Sequence, residues 1–200
     1  SQRRRRASEA RALARVARGA EDYHRVYDRI IGQATGKVIL HWLGEMFDPA
    51  LKGYWGTDDF DTALETVVGI IERHATKVEG IKISLLDADK EVALRARLPE
   101  NVVMFTGDDF NYPELIAGDG QRHSHALLGI FDAIAPVANA ALARLAEGDR
   151  AGYDALMAPT VPLSRKIFEA PTEYYKAGIV FLAWLNGHQD HFNMVGGMQS

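Results

Sequence analysis

Apolar and polar positions along this chain change their period several times, and each change marks an element. Lys37 to Leu43 is a short apolar run that predicts a strand. A loop rich in Gly, Asp, Trp and Tyr follows. Leu64, Val67, Val68 and Ile71 then recur at helical spacing, and Asp58, Asp59 or Asp61 can cap a helix from about Asp59 to His74. A second strand over 79–84 leads to a helix over about 88–98, and a third over 102–106 to a short helix after Pro113. A fourth strand over 126–131 leads to an Ala-rich helix over about 136–146, and helices are expected over about 149–157, 161–169 and 172–187. Connections too long for hairpins predict parallel strands joined by crossover helices. The last three strands start at 79, 102 and 126, a near-constant spacing that fits a (β/α) barrel or a doubly wound open sheet. No G-x-G-x-x-G or G-x-x-x-x-G-K-[ST] follows any strand, which removes support for the nucleotide-binding form of the open sheet. The expected organisation is a basic leader over 1–18, solvated or partly helical, and one domain over 19–200 whose C-terminal helices begin at about 149.

Charge changes this picture at one end only. Residues 1–18 hold seven arginines against Glu9, a net of +6, so a chain of net charge −4 carries −10 over the rest. An acidic body with one basic tip argues against a nucleic-acid binder. The absence of cysteine excludes a disulfide scaffold, a thiol nucleophile and cysteine-ligated metal centres. The longest apolar run, Ala177 to Leu185, is far short of the roughly 18–20 residues of a membrane span. A soluble protein without a membrane partner, in the cytoplasm, is the expectation.

Parallel β/α folds carry their sites at the carboxyl ends of the strands. Those ends offer His41 with Glu45, Lys82 with Ser84, Thr106 with Asp108 and Asp109, and Phe131 with Asp132. Lys82 is the sharpest. Period-two alternation puts Lys82 and Ser84 on one face of their strand and Ile81 and Ile83 on the other. With the isoleucines under the helices, the ammonium points inward, where burial lowers its pKa or demands a carboxylate partner. A desolvated lysine is the nucleophile that forms a Schiff base with a carbonyl; an ion-paired structural lysine is the other reading.

The run VEGIKISLLD (78–87) followed by MFTGDD (104–109) resembles the Schiff-base segment of the dihydrodipicolinate synthase/N-acetylneuraminate lyase superfamily. There a G-I-K-x-[TS] strand carries the imine-forming lysine and a G-D-D turn ends the next strand. IFDAIAP (130–136) resembles the end of the final barrel strand, and YKAGI (175–179) the start of a late helix. HWLGEMFDP (41–49) and NGHQDH (186–191) resemble an uncharacterised bacterial branch, a domain-of-unknown-function family. The resemblance covers about residues 20–200. It implies the C-terminal half, strands five to eight, of a (β/α)8 TIM barrel with trailing helices. A half-barrel leaves its interior open, so association that covers it, or a homo-oligomer, is expected.

The resemblance implies a class I aldolase-type lyase or hydro-lyase. Lys82 would form an imine with a 2-oxo acid or sugar-derived carbonyl substrate, without a cofactor. His41 stands where the superfamily has a proton-relaying tyrosine, and histidine can do acid–base work near neutral pH. Ser84, Thr106, Asp108, Asp109 and Phe131 would line or shape the substrate site. One alternative is a divalent-metal-dependent lyase or isomerase using His41, Glu45 and Asp108, with His125 as a further donor; another is a non-catalytic fragment of the barrel. His188, Asp190 and His191 could hold a metal or simply end a helix. Tyr54 and Trp55 could form a lid or a packing plug.

Overall fold

The computed structural model describes residues 11–197. The arginine run at 3–6 lies outside them. A helical segment over 11–16 precedes α1 (Ala20–Gln33), β1 (Val38–Leu43), α2 (Phe60–Arg73), β2 (Val78–Ser84), α3 (Ala88–Arg97), β3 (Val103–Thr106), α4 (Tyr112–Ala117) and β4 (His125–Ala126). Four helices follow: α5 (Phe131–Ala146), α6 (Arg150–Met157), α7 (Thr160–Ile167) and α8 (Lys176–Leu185).

Local chemistry accounts for several boundaries. The Asp59 carboxylate accepts the Thr62 N–H at 2.9 Å, which fixes the start of α2. Asp87 and Asp149 cap α3 and α6 in the same way. Lys77 closes α1 from a distance, donating to the carbonyls of Ile31, Gly32 and Ala34 around the helix end. Helix α5 breaks at Ile134 (φ −120°, ψ 19°), just ahead of Pro136, which has no N–H for the helical ladder.

The four strands are parallel and lie in the order β1-β2-β3-β4. His41 pairs with Lys82, Leu43 with Ser84, Lys82 with Phe105 and Ile83 with Thr106. Strand order never reverses, so the sheet has no topological switch point of the kind a doubly wound fold uses. Leu40, Trp42, Ile81, Ile83 and Met104 pack on one face with Val67, Val68, Ile70, Ile71 and Leu94 of the helices. Among the described residues the opposite face is uncovered: Ile39 is 47% exposed, His41 is open, and Lys82, Val103 and Phe105 are half-buried.

A second core joins α4 to α7 around Tyr112, Ile130, Tyr153, Met157 and Phe168. Buried Arg95 ties it to the sheet, donating to Leu115 O, Ser124 Oγ and Asp119 Oδ2, each at 3.1 Å.

Three expectations change. The described part of the leader, from residue 11 on, is not simply solvated: Leu13 is buried in the first core and Arg11 reaches Asp48 at 3.0 Å. The fourth strand is only His125–Ala126, because Leu128 and Ile130 turn into the second core instead of extending. Phe131 therefore opens helix α5, its ring 6.0 Å from that of Tyr112, and does not end a strand. Tyr54 and Trp55 form a plug: both are buried, and Trp55 packs against Tyr23, Tyr27 and Trp42.

Candidate active site

The uncovered face brings Lys82, His41 and Ser84 together. The alternation in β2 holds: Ile81 and Ile83 are buried under the helices while Lys82 lies on the open side. Neighbouring β1 sets His41 beside Lys82, and His41 Nε2 lies 3.1 Å from Ser84 Oγ. Desolvation, followed by the Lys82 charge, pushes the His41 imidazole below its ordinary range toward the neutral form. Solvent contact on the open face tempers that effect, because the ring remains exposed.

Desolvation also lowers the Lys82 pKa, and the Asp109 charge partly restores it. Among the described residues Lys82 makes no ion pair within 4.0 Å. Its ammonium is thus crowded without a carboxylate in direct contact, a state that raises the neutral amine fraction.

The turn after β3 closes on this lysine. A Cβ at Gly107 would overlap Ser84 Oγ and come within 2.6 Å of Lys82 Cε, so only glycine lets the turn approach so near. The Gly107 N–H binds Ile83 O at 2.8 Å. Asp108 and Asp109, both buried, then diverge in role. The Asp108 carboxylate accepts Phe110 N–H at 2.7 Å and both Asn111 N–H and Asn111 Nδ2 at 2.9 Å, which makes it a staple of the turn. The Asp109 carboxylate accepts Ile130 N–H at 2.8 Å, and its own carbonyl accepts the Ser164 hydroxyl of α7. Burial raises the Asp109 pKa to about 7, against the lowering effect of the Ile130 bond and the Lys82 charge. The helices after β4 therefore hold a site residue in place.

Thr106 does not line the site. Its register partner is Ile83, so it faces the helix side, where its hydroxyl donates to Glu91 Oε2 at 2.9 Å. Phe131 is likewise removed to the second core. Glu45 is exposed in the turn after β1. His125 stacks on His123 at 5.1 Å and lies against Phe105 at 5.8 Å, level with the middle of the sheet. Among the described residues no three His, Asp or Glu side chains converge to hold an ion, so neither His41, Glu45 and Asp108 nor His188, Asp190 and His191 form a donor set.

Two side chains around the site were not expected to matter there. Tyr175 stacks on Phe168 at 4.6 Å beside the strand ends; desolvation and then the Asp109 and Asp132 charges raise its pKa. Glu91, 1% exposed, supports the back of β3. Tyr175 stood in the resembling YKAGI segment, while nothing in the helical pattern of α3 marks Glu91.

A partly open cavity adjoins the site at His41. With a volume of about 790 Å³, it runs between the 11–16 segment, α1 and β1, past Tyr27, Ile31, Ile39, Tyr54 and His41. Lys82 does not line it; the lysine opens onto the uncovered sheet face.

These features define a parallel α/β protein with a lysine-centred polar cluster on the face its helices leave free. The chain matches the family described as "Protein of unknown function (DUF993)" over residues 7–200, and it belongs to that family. No curated protein matches it.

Proposed function

We propose that this protein forms a Schiff base between Lys82 and a small carbonyl compound, a 2-oxo acid or a sugar-derived carbonyl, as a class I aldolase-type lyase or hydro-lyase. The observation that carries the reading is Lys82 itself: a half-buried amine without an ion-pair partner among the described residues, its pKa depressed by desolvation, beside His41 and Ser84. The neutral imidazole of His41 can pass protons at the substrate, and Ser84 fixes its orientation. Asp108 shapes the site through the turn and does not touch the substrate.

The strand order supports the barrel part of the proposal. Right-handed crossovers between strands added in one direction leave every helix on the same face, which is how a (β/α) barrel is wound. The uncovered face is then the barrel interior, represented here by the strands that would be five to eight, and further strands or an association would cover it. Catalysis needs no cofactor on this mechanism, because the imine itself withdraws electrons from the adjacent carbon.

The test is borohydride reduction of the full chain with pyruvate and a panel of other 2-oxo acids and aldoses, with the adduct located by mass spectrometry. A reduced adduct on Lys82, absent in Lys82→Ala, is expected. Adducts confined to surface lysines, or none, would overturn the mechanism.

A further inference from the structure

Imine formation demands two proton movements, and the groups around Lys82 divide them unequally. The ammonium must lose a proton before it can attack, and the hydroxyl of the resulting carbinolamine must gain one before leaving as water. We infer that Asp109 is a second catalytic residue of this site, taking the Lys82 proton and delivering it to the departing oxygen. This inference rests on the Schiff-base reading above.

Elimination and geometry lead there together. The Asp108 carboxylate is occupied by three N–H donors of its own turn. Glu91 lies behind β3, on the far side of Thr106. His41, its imidazole pushed below the ordinary range, is a poor acceptor for an ammonium proton and is left to move protons at the substrate. Asp109 is 3% exposed, and it is the carboxylate whose charge works against the desolvation of Lys82. Its position is fixed on two sides, by Ile130 N–H on the carboxylate and by Ser164 on the main chain. Gly107 allows the turn that carries it to touch the lysine stem. The two groups stand farther apart than an ion pair, so rotation of the lysine side chain or one water completes the transfer.

The balance closes. Lys82 ammonium and Asp109 carboxylate become amine and carboxylic acid. The amine adds to the carbonyl carbon, and the carboxylic acid protonates the hydroxyl as the C–O bond breaks. The products are a protonated imine, water and the original carboxylate. The other titratable or charged groups facing this pair are Asp108 on the same turn, His41 of β1, Tyr112 of α4, Tyr175 before α8 with Asp132 of α5 opposite it, and Arg165 of α7, which reaches Asn111 Oδ1 at 3.2 Å. None of them supplies a second carboxylate to Lys82. Burial brings the Asp109 pKa to about 7, close to the value that suits a group that must accept and return one proton.

Asp109→Asn separates the two functions, since an amide oxygen can still accept from Ile130 N–H. Two rates at Lys82 are measured in the full chain by peptide mass spectrometry: borohydride trapping with the 2-oxo acid the wild type traps best, and acetylation by acetic anhydride across pH. Trapping is expected to slow at least tenfold. The acetylation midpoint of Lys82 is expected to move to lower pH, because an attractive negative charge has gone. A merely structural role would slow trapping with the acetylation midpoint unchanged or raised, and that result overturns the inference. Wild-type trapping rates in Asp109→Asn overturn it as well, while leaving the imine reading intact. A wild-type chain that traps nothing at Lys82 removes both. If Asp109→Asn does not fold, the Asp109 titration is followed by carboxyl carbon-13 resonance in wild type and Lys82→Met. Loss of the lysine should raise its midpoint, and an unchanged midpoint sinks the proposal.

Discussion

Glu91 illustrates what one buried carboxyl does to this molecule. Desolvation raises its pKa from the ordinary 4.5 to about 7, although the Thr106 and Ser124 hydroxyls favour the charged form, and its Oε1 has no partner atom among the described residues. Between those two pH values the folded chain binds the proton that the unfolded chain has released. Stability must therefore fall as pH rises through that window. Asp109, also raised to about 7, adds a loss of the same sign. Glu91→Gln keeps the shape and the acceptor for Thr106 but cannot ionise. Its urea midpoint should change less between pH 5 and pH 8 than that of the wild type. The variant should gain on the wild type by about 1.4 kcal/mol for each pH unit crossed inside the window. Identical pH slopes in the two proteins would refute the assignment. At this scale the sequence was legible where a strand's alternation could be anchored by its neighbours, as at Lys82 and Ser84. It misled at Thr106, because β3 is only four residues long and its facing depends on register with Ile83, a relation between strands that no single segment contains.

Helices and strands differ in how far they could be read. Helix α2 carries both a strong apolar stripe and a capping aspartate, so its span follows from residues within it. Asp59→Ala should lower stability by about 1 kcal/mol in urea unfolding, the usual cost of a lost N-cap. Leu94→Ala in α3 should cost more, about 2–5 kcal/mol, since this side chain is fully buried between helix and sheet. Equal losses in the two variants would mean that α3 is not packed as described. Strand β4 marks the opposite limit. Leu127 to Phe131 has the composition of a strand, yet Gly129 comes close to the Phe168 ring and the chain turns into the second core there. Short apolar runs carry too little periodicity to separate these outcomes. The C-terminal helices were legible as elements but not in their purpose. That Ser164 and Ile130 would both hold Asp109 follows from a meeting of segments 21 and 55 residues away in sequence.

The whole molecule is organised by an asymmetry between the faces of its sheet. Parallel strands joined by helices were foreshadowed by the regular β/α spacing, which left one-sided and two-sided arrangements open; the observed order and packing place the reactive lysine on the side without the packed helices. Along β1 that side presents Ile39 and His41, and across β2 and β3 it continues through Lys82, Val103 and Phe105. Open sheet surface carrying apolar side chains of this kind normally meets a partner surface or further chain. The described residues alone should therefore leave a face that an apolar dye can enter. Anilinonaphthalene sulfonate is expected to brighten on binding the native chain, and Ile39→Ser should reduce the signal by removing the most exposed apolar side chain of β1. Size-exclusion chromatography of the same samples distinguishes an open monomer from a self-associated one. A monomer that binds no dye would mean that the face is covered in solution, and Lys82 would then have to be reached from the carboxyl ends of the strands. A dye-binding chain that nevertheless traps a 2-oxo acid at Lys82 would show that the imine chemistry needs only the local cluster and not a closed barrel around it.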